Sequence, residues 1–363
     1  MYLYFIYFML CFLSLIEICK NRKKIKTTTH CIIYIYFITL FIFISGFRWE
    51  NGTDWESYLR IWDINEFITC IGEMEPGFIL LNSFNHWLVN HYSFHLLIMA
   101  IICIIPVAII NYKYSPYPIF SLFIWYVCNF AHIFNVRQTI AISLIFCTIP
   151  FILKKKRNKF LFIIFLAALF HKASIIAIPM YWLWQIRINK KQYILILIIC
   201  SFIAISLSNL ITNLLLSMGG GIFEAQLNYY LNEGSNTFGQ KYSPLQVLIR
   251  GIINRSFILI IGLYLLDRLR KKSDFLNGVV NMYFTGTIMF ILFTPLSIAL
   301  NRLSSFYDFF QILLIPSIFL YKMKKELRLT FFFILSFYLL YRFRGIILNY
   351  EDTYIPYNLF FLQ

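Results

Sequence analysis

Long apolar stretches separated by short polar turns run through the chain. About twenty apolar residues suffice to cross a bilayer. Stretches of that order cover 2–19, 31–47, 93–111, 117–134, 136–153, 193–216, 247–266, 279–300, 303–321 and 329–348. The pattern predicts an all-α, polytopic transmembrane bundle of about 10–12 membrane segments. Segment 160–186 is irregular. Basic clusters flank it on both sides, so a single crossing strands one of them outside, against the positive-inside rule. At about 1.5 Å per residue it is too short for two full crossings. Two short or re-entrant helices meeting near His171-Lys172-Ala173 satisfy both limits, with backbone covered by protein or water.

Composition narrows the class. The chain is 60% hydrophobic and only 13% charged, against roughly a quarter charged in soluble domains. A net charge of +16 suggests nucleic acid at first sight. The cations instead cluster between apolar stretches, as in cytoplasmic membrane loops, so no nucleic-acid partner is expected. Clusters at 20–26, 113, 154–159, 187–191, 268–272 and 322–328 fall in the cytoplasm in one consistent topology, with 22 of the 32 Lys and Arg. Loops 48–92 and 217–246 and the tail after Asn349 then lie outside. The apolar run Tyr2–Ile18 precedes its cations, the reverse of a signal peptide, which predicts a retained first helix with its N-terminus outside. No internal repeat or linker is visible, and 1–363 reads as a single integral membrane domain. Seven of eight cysteines lie in or beside apolar segments, with no metal-type spacing.

Against this background the segment from Arg48 to Phe78 holds seven of the sixteen carboxylates: Glu50, Asp54, Glu56, Asp63, Glu66, Glu73 and Glu75. Ten cations depart from the cytoplasmic clusters and map to the outer half: Arg48, Arg60, Arg137, Lys172, Lys241, Arg250, Arg255, Arg302, Arg342 and Arg344. An ionisable group in or near the membrane is costly and marks function by default, although Arg342 and Arg344 also suit snorkelling anchors. Arg137 and Gln138 open an apolar helix, whose positive end suits an anion. Guanidinium groups grip phosphate through paired donors, which points to a pyrophosphate-bearing ligand. Other readings stand beside these. Asp54 suits a helix cap, Glu75 a solvated loop, His171 a bond to a neighbouring carbonyl, and Asp308 a structural ion pair with a nearby arginine. Gly219-Gly220-Gly221 reads as a hinge, and Phe223, Tyr229, Tyr230, Phe238 and Tyr242 as either a sugar-stacking lid or an interfacial belt.

Four pieces in order resemble the EpsG family of bacterial exopolysaccharide polymerases, a branch of the Wzy-like O-antigen and capsule polymerases. They are Phe47-Arg48…Gly52-Thr53-Asp54-Trp55…Tyr58 with Glu75-Pro76-Gly77-Phe78; Asn135-Val136-Arg137-Gln138-Thr139-Ile140-Ala141; Ala167 to Ser174 around His171; and Asn301-Arg302…Tyr307 with Pro356-Tyr357. The resemblance implies a fold similar to the GT-C membrane glycosyltransferases, in the bacterial cytoplasmic membrane with the site facing outside. It implies an inverting, metal-independent glycosyltransferase, without cofactor, that joins repeat units carried on undecaprenyl pyrophosphate. Other polysaccharide assembly and export proteins are its implied neighbours. On this reading Arg137 and Arg302, then Arg48, clamp the leaving pyrophosphate with Gln138 and Tyr58 nearby, and Asp54, Glu75 and His171 are candidate proton acceptors. A GT-C transferase using a polyprenyl-phosphate sugar, an O-antigen-ligase-like enzyme and a lipid-linked oligosaccharide flippase are the competing readings.

Overall fold

A computed structural model of the chain describes residues 2–20, 26–52, 55–64, 74–134, 137–206, 244–296, 298–349 and 351–362. Asp54, the glycine run at 219–221 and the second outer loop's aromatic residues lie outside the described residues. The fold is helical throughout, apart from one two-stranded ladder. Among the described residues six helices are long and apolar enough to cross a membrane, and the chain is a polytopic all-α membrane protein. It divides into two compact units, Met1–Ile178 with Lys322–Gln363, and Pro179–Tyr321.

The first unit opens with α1 (Tyr2–Cys19) and α2 (Thr28–Gly46), then strand β1 (Arg48–Trp49). Two helices, α3 (Trp55–Ile64) and α4 (Pro76–Leu88), occupy what the sequence suggests is an outer loop. After them come α5 (Tyr92–Tyr114), α6 (Pro118–Cys128), α7 (Arg137–Phe146), α8 (Ile149–Leu153) and α9 (Arg157–Phe170). A 3-10 turn, Lys172–Ala177, closes this part. The second unit holds α10 (Met180–Leu183), α11 (Lys190–Ser206), α12 (Pro244–Arg270), α13 (Asp274–Phe293), α14 (Ile298–Asn301), α15 (Ser305–Asp308) and α16 (Gln311–Ile318). The chain then returns to the first unit with α17 (Lys325–Asn349), α18 (Glu351–Tyr354) and β2 (Asn358–Leu359).

Three expected spans are shorter or broken. Residues 117–134 form α6 plus a 3-10 turn, because the chain leaves the helix at Asn129. Residues 136–153 divide into α7 and α8 ahead of Pro150, which has no N–H to donate into a continuing helix. Residues 303–321 are the 3-10 turn Arg302–Ser304 followed by α15 and α16. Segment 160–186 is broken near His171, where two short helices are expected to meet. Its helix α9 stops at Phe170, His171 is extended (φ −157°), and the 3-10 turn begins at Lys172.

The core of the first unit is α6, apolar on every face and buried from Pro118 to Val127, as an all-round apolar helix must be. α1 and α17 pack on it. Glu17 of α1, 2% exposed, fixes the start of this helix. Its carboxylate accepts from the N–H groups of Ile119 (3.1 Å) and Phe120 (2.9 Å), and it meets His30 Nε2 at 2.7 Å. A carboxylate at a helix N-terminus satisfies orphan donors and the positive end of the dipole together. At the same end, Lys26 Nζ donates to the carbonyl of Tyr112 (2.7 Å), so the basic clusters at 20–26 and 113 share one end of the unit.

The opposite end is closed by the returning tail. β1 pairs antiparallel with β2, Arg48 opposite Leu359 and Trp49 opposite Asn358. Asn51 Oδ1 accepts from the N–H of Asn358 (2.7 Å), and its Nδ2 donates to the carbonyl of Pro356 (2.9 Å). Gly52, at φ +102°, donates its N–H to Thr353 O (3.0 Å). That backbone conformation favours glycine. The second unit is knitted at its basic end, where Arg187 Nη1 donates to the carbonyls of Arg270 and Lys271, both at 2.9 Å.

Candidate active site

Four elements of the first unit converge on one carboxylate. Glu75 stands just ahead of α4 in an extended conformation (ψ 145°), and Pro76 takes the first helical position, where a missing N–H costs nothing. The Glu75 carbonyl receives the N–H groups of Phe78 (3.0 Å) and Ile79 (3.1 Å). Its side chain does not cap its own helix and is directed instead to other elements. Oε2 accepts from Arg137 Nη1 at the start of α7. Oε1 accepts from the N–H of Lys172 (3.2 Å) and lies 3.5 Å from His171 Nδ1, at the end of α9. The two oxygens thus tie α4, α7 and the α9 break together. Glu75 is therefore a buried, multiply bonded carboxylate and not a solvated loop residue.

A glycine permits this approach. A Cβ on Gly77 would stand 2.8 Å from the carbonyl oxygen of Leu169 and 2.9 Å from its Cβ. The residue next but one to Glu75 thus lets α4 press onto the last turn of α9, two residues before His171. That accounts for glycine in Glu75-Pro76-Gly77-Phe78.

Aromatic rings hold the cation. The guanidinium carbon of Arg137 lies 5.8 Å from the ring centre of Tyr58 and 6.0 Å from that of Phe78. The two rings are themselves 5.4 Å apart. Tyr58 Oη is 3.5 Å from both the backbone N and Nε of Arg137, at the outer limit of a hydrogen bond. The Arg137 side chain retains 23% of its surface and Glu75 only 9%. Arg137 Nη2 makes no hydrogen bond among the described residues, so the guanidinium keeps one edge for a ligand.

Glu75 faces the guanidinium of Arg137, the ring of His171 and the N–H of Lys172 at once. A carboxylate so surrounded is a weak proton acceptor and a strong orienting anion for its neighbours.

The structure gathers Glu75, Arg137, His171 and Tyr58, and sets Gln138, half-buried, beside Arg137. Arg48 belongs to a separate environment, 1% exposed, between the rings of Trp55 (6.0 Å) and Phe134 (5.8 Å). Helix α3 serves both arginines, presenting Trp55 to Arg48 and Tyr58 to Arg137 one turn later. Arg302 lies exposed in the second unit. In that unit Asp308 forms the expected ion pair. Arg255 donates to its Oδ2 from Nε (3.1 Å) and Nη2 (2.6 Å), and Ser304 Oγ donates to the same oxygen (3.0 Å). The close α13–α15 approach there depends on Gly286, whose added Cβ would meet the Asp308 backbone N at 2.7 Å. Sequence reasoning missed the Lys172 N–H and Phe78. The first had a signal in the helix break at His171, which frees backbone donors, and the second in its place within the Glu-Pro-Gly-Phe motif.

No curated protein and no solved structure matches the chain. The EpsG family model matches residues 32–359, a span that takes in every element of the cluster around Glu75. By that match the chain belongs to the EpsG family and is a multi-pass membrane protein with a polysaccharide polymerase-like role.

Proposed function

We propose that the protein polymerises a bacterial polysaccharide by joining oligosaccharide repeat units carried on undecaprenyl pyrophosphate, at the outer face of the cytoplasmic membrane. The observation that carries the reading is the Arg137–Glu75–His171 cluster, at the end of the first unit away from Lys26 and Tyr112. In the proposed step an acceptor sugar hydroxyl attacks the anomeric carbon of the donor glycan. The bond from that carbon to the pyrophosphate oxygen breaks, and its electron pair leaves with the lipid pyrophosphate. The departing group already carries its charge, so electrostatic stabilisation serves it better than protonation. Arg137, with Lys172 exposed beside the cluster, supplies that stabilisation.

Glu75 is the positioning residue in this scheme. With Nδ1 of His171 3.5 Å from the Glu75 carboxylate, Nε2 is the ring nitrogen that accepts the hydroxyl proton in this scheme. A carboxylate set behind one nitrogen fixes the tautomer and stabilises the imidazolium that forms. The reaction as written uses no nucleotide and no metal.

Purified protein in lipid, given its lipid-pyrophosphate repeat unit in the presence of EDTA, is expected to build a ladder of glycan lengths. Arg137→Gln and His171→Ala should each lower the rate at least 100-fold, the scale of losing a charge stabiliser or a general base. Movement of the lipid across the vesicle membrane with no ladder overturns the polymerase reading in favour of a flippase.

A further inference from the structure

The two helices between β1 and α5 face opposite solvents. Helix α3 buries Trp55, Tyr58, Ile61 and Trp62 and turns Glu56, Ser57, Arg60 and Asp63 outward, as a helix in water does. Helix α4 is apolar on both sides, since it also buries Phe78 and Ile79. Its buried face carries Asn82 and Asn85, bonded to the Ile61 carbonyl (3.2 Å) and to His95 Nδ1 (3.0 Å). Past Pro76 its exposed residues are Leu80 (59%), Phe84 (56%), Trp87 (78%) and Leu88 (51%). These recur at helical spacing and form one continuous apolar stripe. A stripe of that size facing water is rare in a folded protein, and facing lipid it is ordinary.

Helix lengths place the cluster below the membrane surface. From Arg157, in the basic turn, to His171 the chain rises about 21 Å, and from Lys154 back to Arg137, across the break between α7 and α8, at most about 25 Å. The hydrocarbon core is about 30 Å thick. With the basic turn at the cytoplasmic boundary, the Arg137–Glu75–His171 cluster lies several ångströms inside the outer leaflet, and any tilt sinks it further. A phospholipid headgroup stays at the surface. An anion drawn to this depth needs an apolar tail that follows it.

We propose that the outward stripe of α4, Leu80 to Leu88, docks the polyprenyl chain of a lipid-linked substrate whose pyrophosphate sits at Arg137. The inference rests on the polymerase reading for its ligand. Continuity selects the occupant, since the stripe starts about one and a half turns from Glu75 on the same helix. The pyrophosphate site and the tail track are thus two ends of one rigid element. The neighbouring cations Arg137 and Lys172 outnumber the single carboxylate of Glu75, so the head of the track is suited to an anion.

The test replaces Phe84 by photoreactive benzoylphenylalanine in the full chain, in phospholipid nanodiscs containing undecaprenyl pyrophosphate. Phe162 of α9, 60% exposed, is the control position. After irradiation, at least five-fold enrichment of the polyprenyl adduct at position 84 over position 162, lost in Arg137→Gln, supports the track. Equal adducts at the two positions, phospholipid alone, or another protein copy at position 84 overturns it. A second measurement uses Phe84→Ser with Trp87→Ser, both outward-facing. KM for the lipid substrate should rise about ten-fold with kcat within two-fold, and an unchanged KM overturns the track. Crosslinking needs no turnover. Failure of the ladder with the polyprenyl adduct intact therefore removes the polymerase reading alone.

Discussion

At the residue scale, the site is governed by where each charge finds its counterion. Glu75→Gln leaves the Arg137 guanidinium without its counterion, and removing one partner of a largely buried pair is destabilising. Thermal unfolding of Glu75→Gln in lipid should therefore begin at a lower temperature than that of the wild type. Equal unfolding temperatures would show that the ion pair with Arg137 contributes nothing. The sequence made Arg137 and His171 candidates because an ionisable group set in an apolar pattern needs a partner, and Glu75 and Tyr58 candidates through the motif shared with the EpsG family. Which charges pair was not legible. Arg48 and Arg137 occupy similar sequence contexts, yet one is enclosed by Trp55 and Phe134 while the other keeps an accessible edge. The difference is made by helix α3, whose two successive turns serve them separately.

At the element scale, a close helix approach sets the distances in the site. Gly77→Ala puts a methyl group 2.8 Å from a backbone carbonyl that cannot rotate away. Overpacking of this kind costs about 1–3 kcal/mol. The displacement falls on the 3.5 Å contact between Glu75 and His171. A lower unfolding temperature together with a fall in polymerisation rate exceeding that of an outward-facing α4 substitution is the expected result. A stable, fully active Gly77→Ala would mean that the α4–α9 approach does not position the site. Glycine in this motif is visible in sequence, but the Leu169 carbonyl it accommodates is not, since the approach joins segments nearly a hundred residues apart. The broken helices were partly legible. The charge argument at 160–186 located the break at His171 because each flanking cluster had to stay on one side. The stops at Asn129 and ahead of Pro150 carry no such constraint, since apolar composition continues past them. Hydropathy measures burial and says little about where a buried helix ends, and α6, buried from Pro118 to Val127, shows the difference.

At the scale of the whole molecule, the two compact units were not legible, because the chain leaves the first and returns to it 143 residues later. Contacts such as Asn51 with Pro356 and Asn358 tie the acidic segment to the tail and give no local signal in sequence. The placement of positive charge was legible. Lys26 and Tyr112 meet at one end of the first unit, and Arg187 reaches Arg270 and Lys271 within the second. Positive charge prefers the cytoplasmic side; on that rule the basic end of the first unit faces the cytoplasm, and the proposed outer-face chemistry stands or falls with it. Arg60 on α3 and Lys156 in the turn before α9 are both exposed and belong to opposite ends of this unit. In a chain whose eight native cysteines are replaced, Arg60→Cys should react with a membrane-impermeant maleimide in intact cells. Lys156→Cys should react only after permeabilisation. The reverse pattern would turn Arg137, Glu75 and His171 towards the cytoplasm. An outward-facing lipid-linked glycan then never meets them, and the polymerase assignment fails whatever the geometry of the cluster.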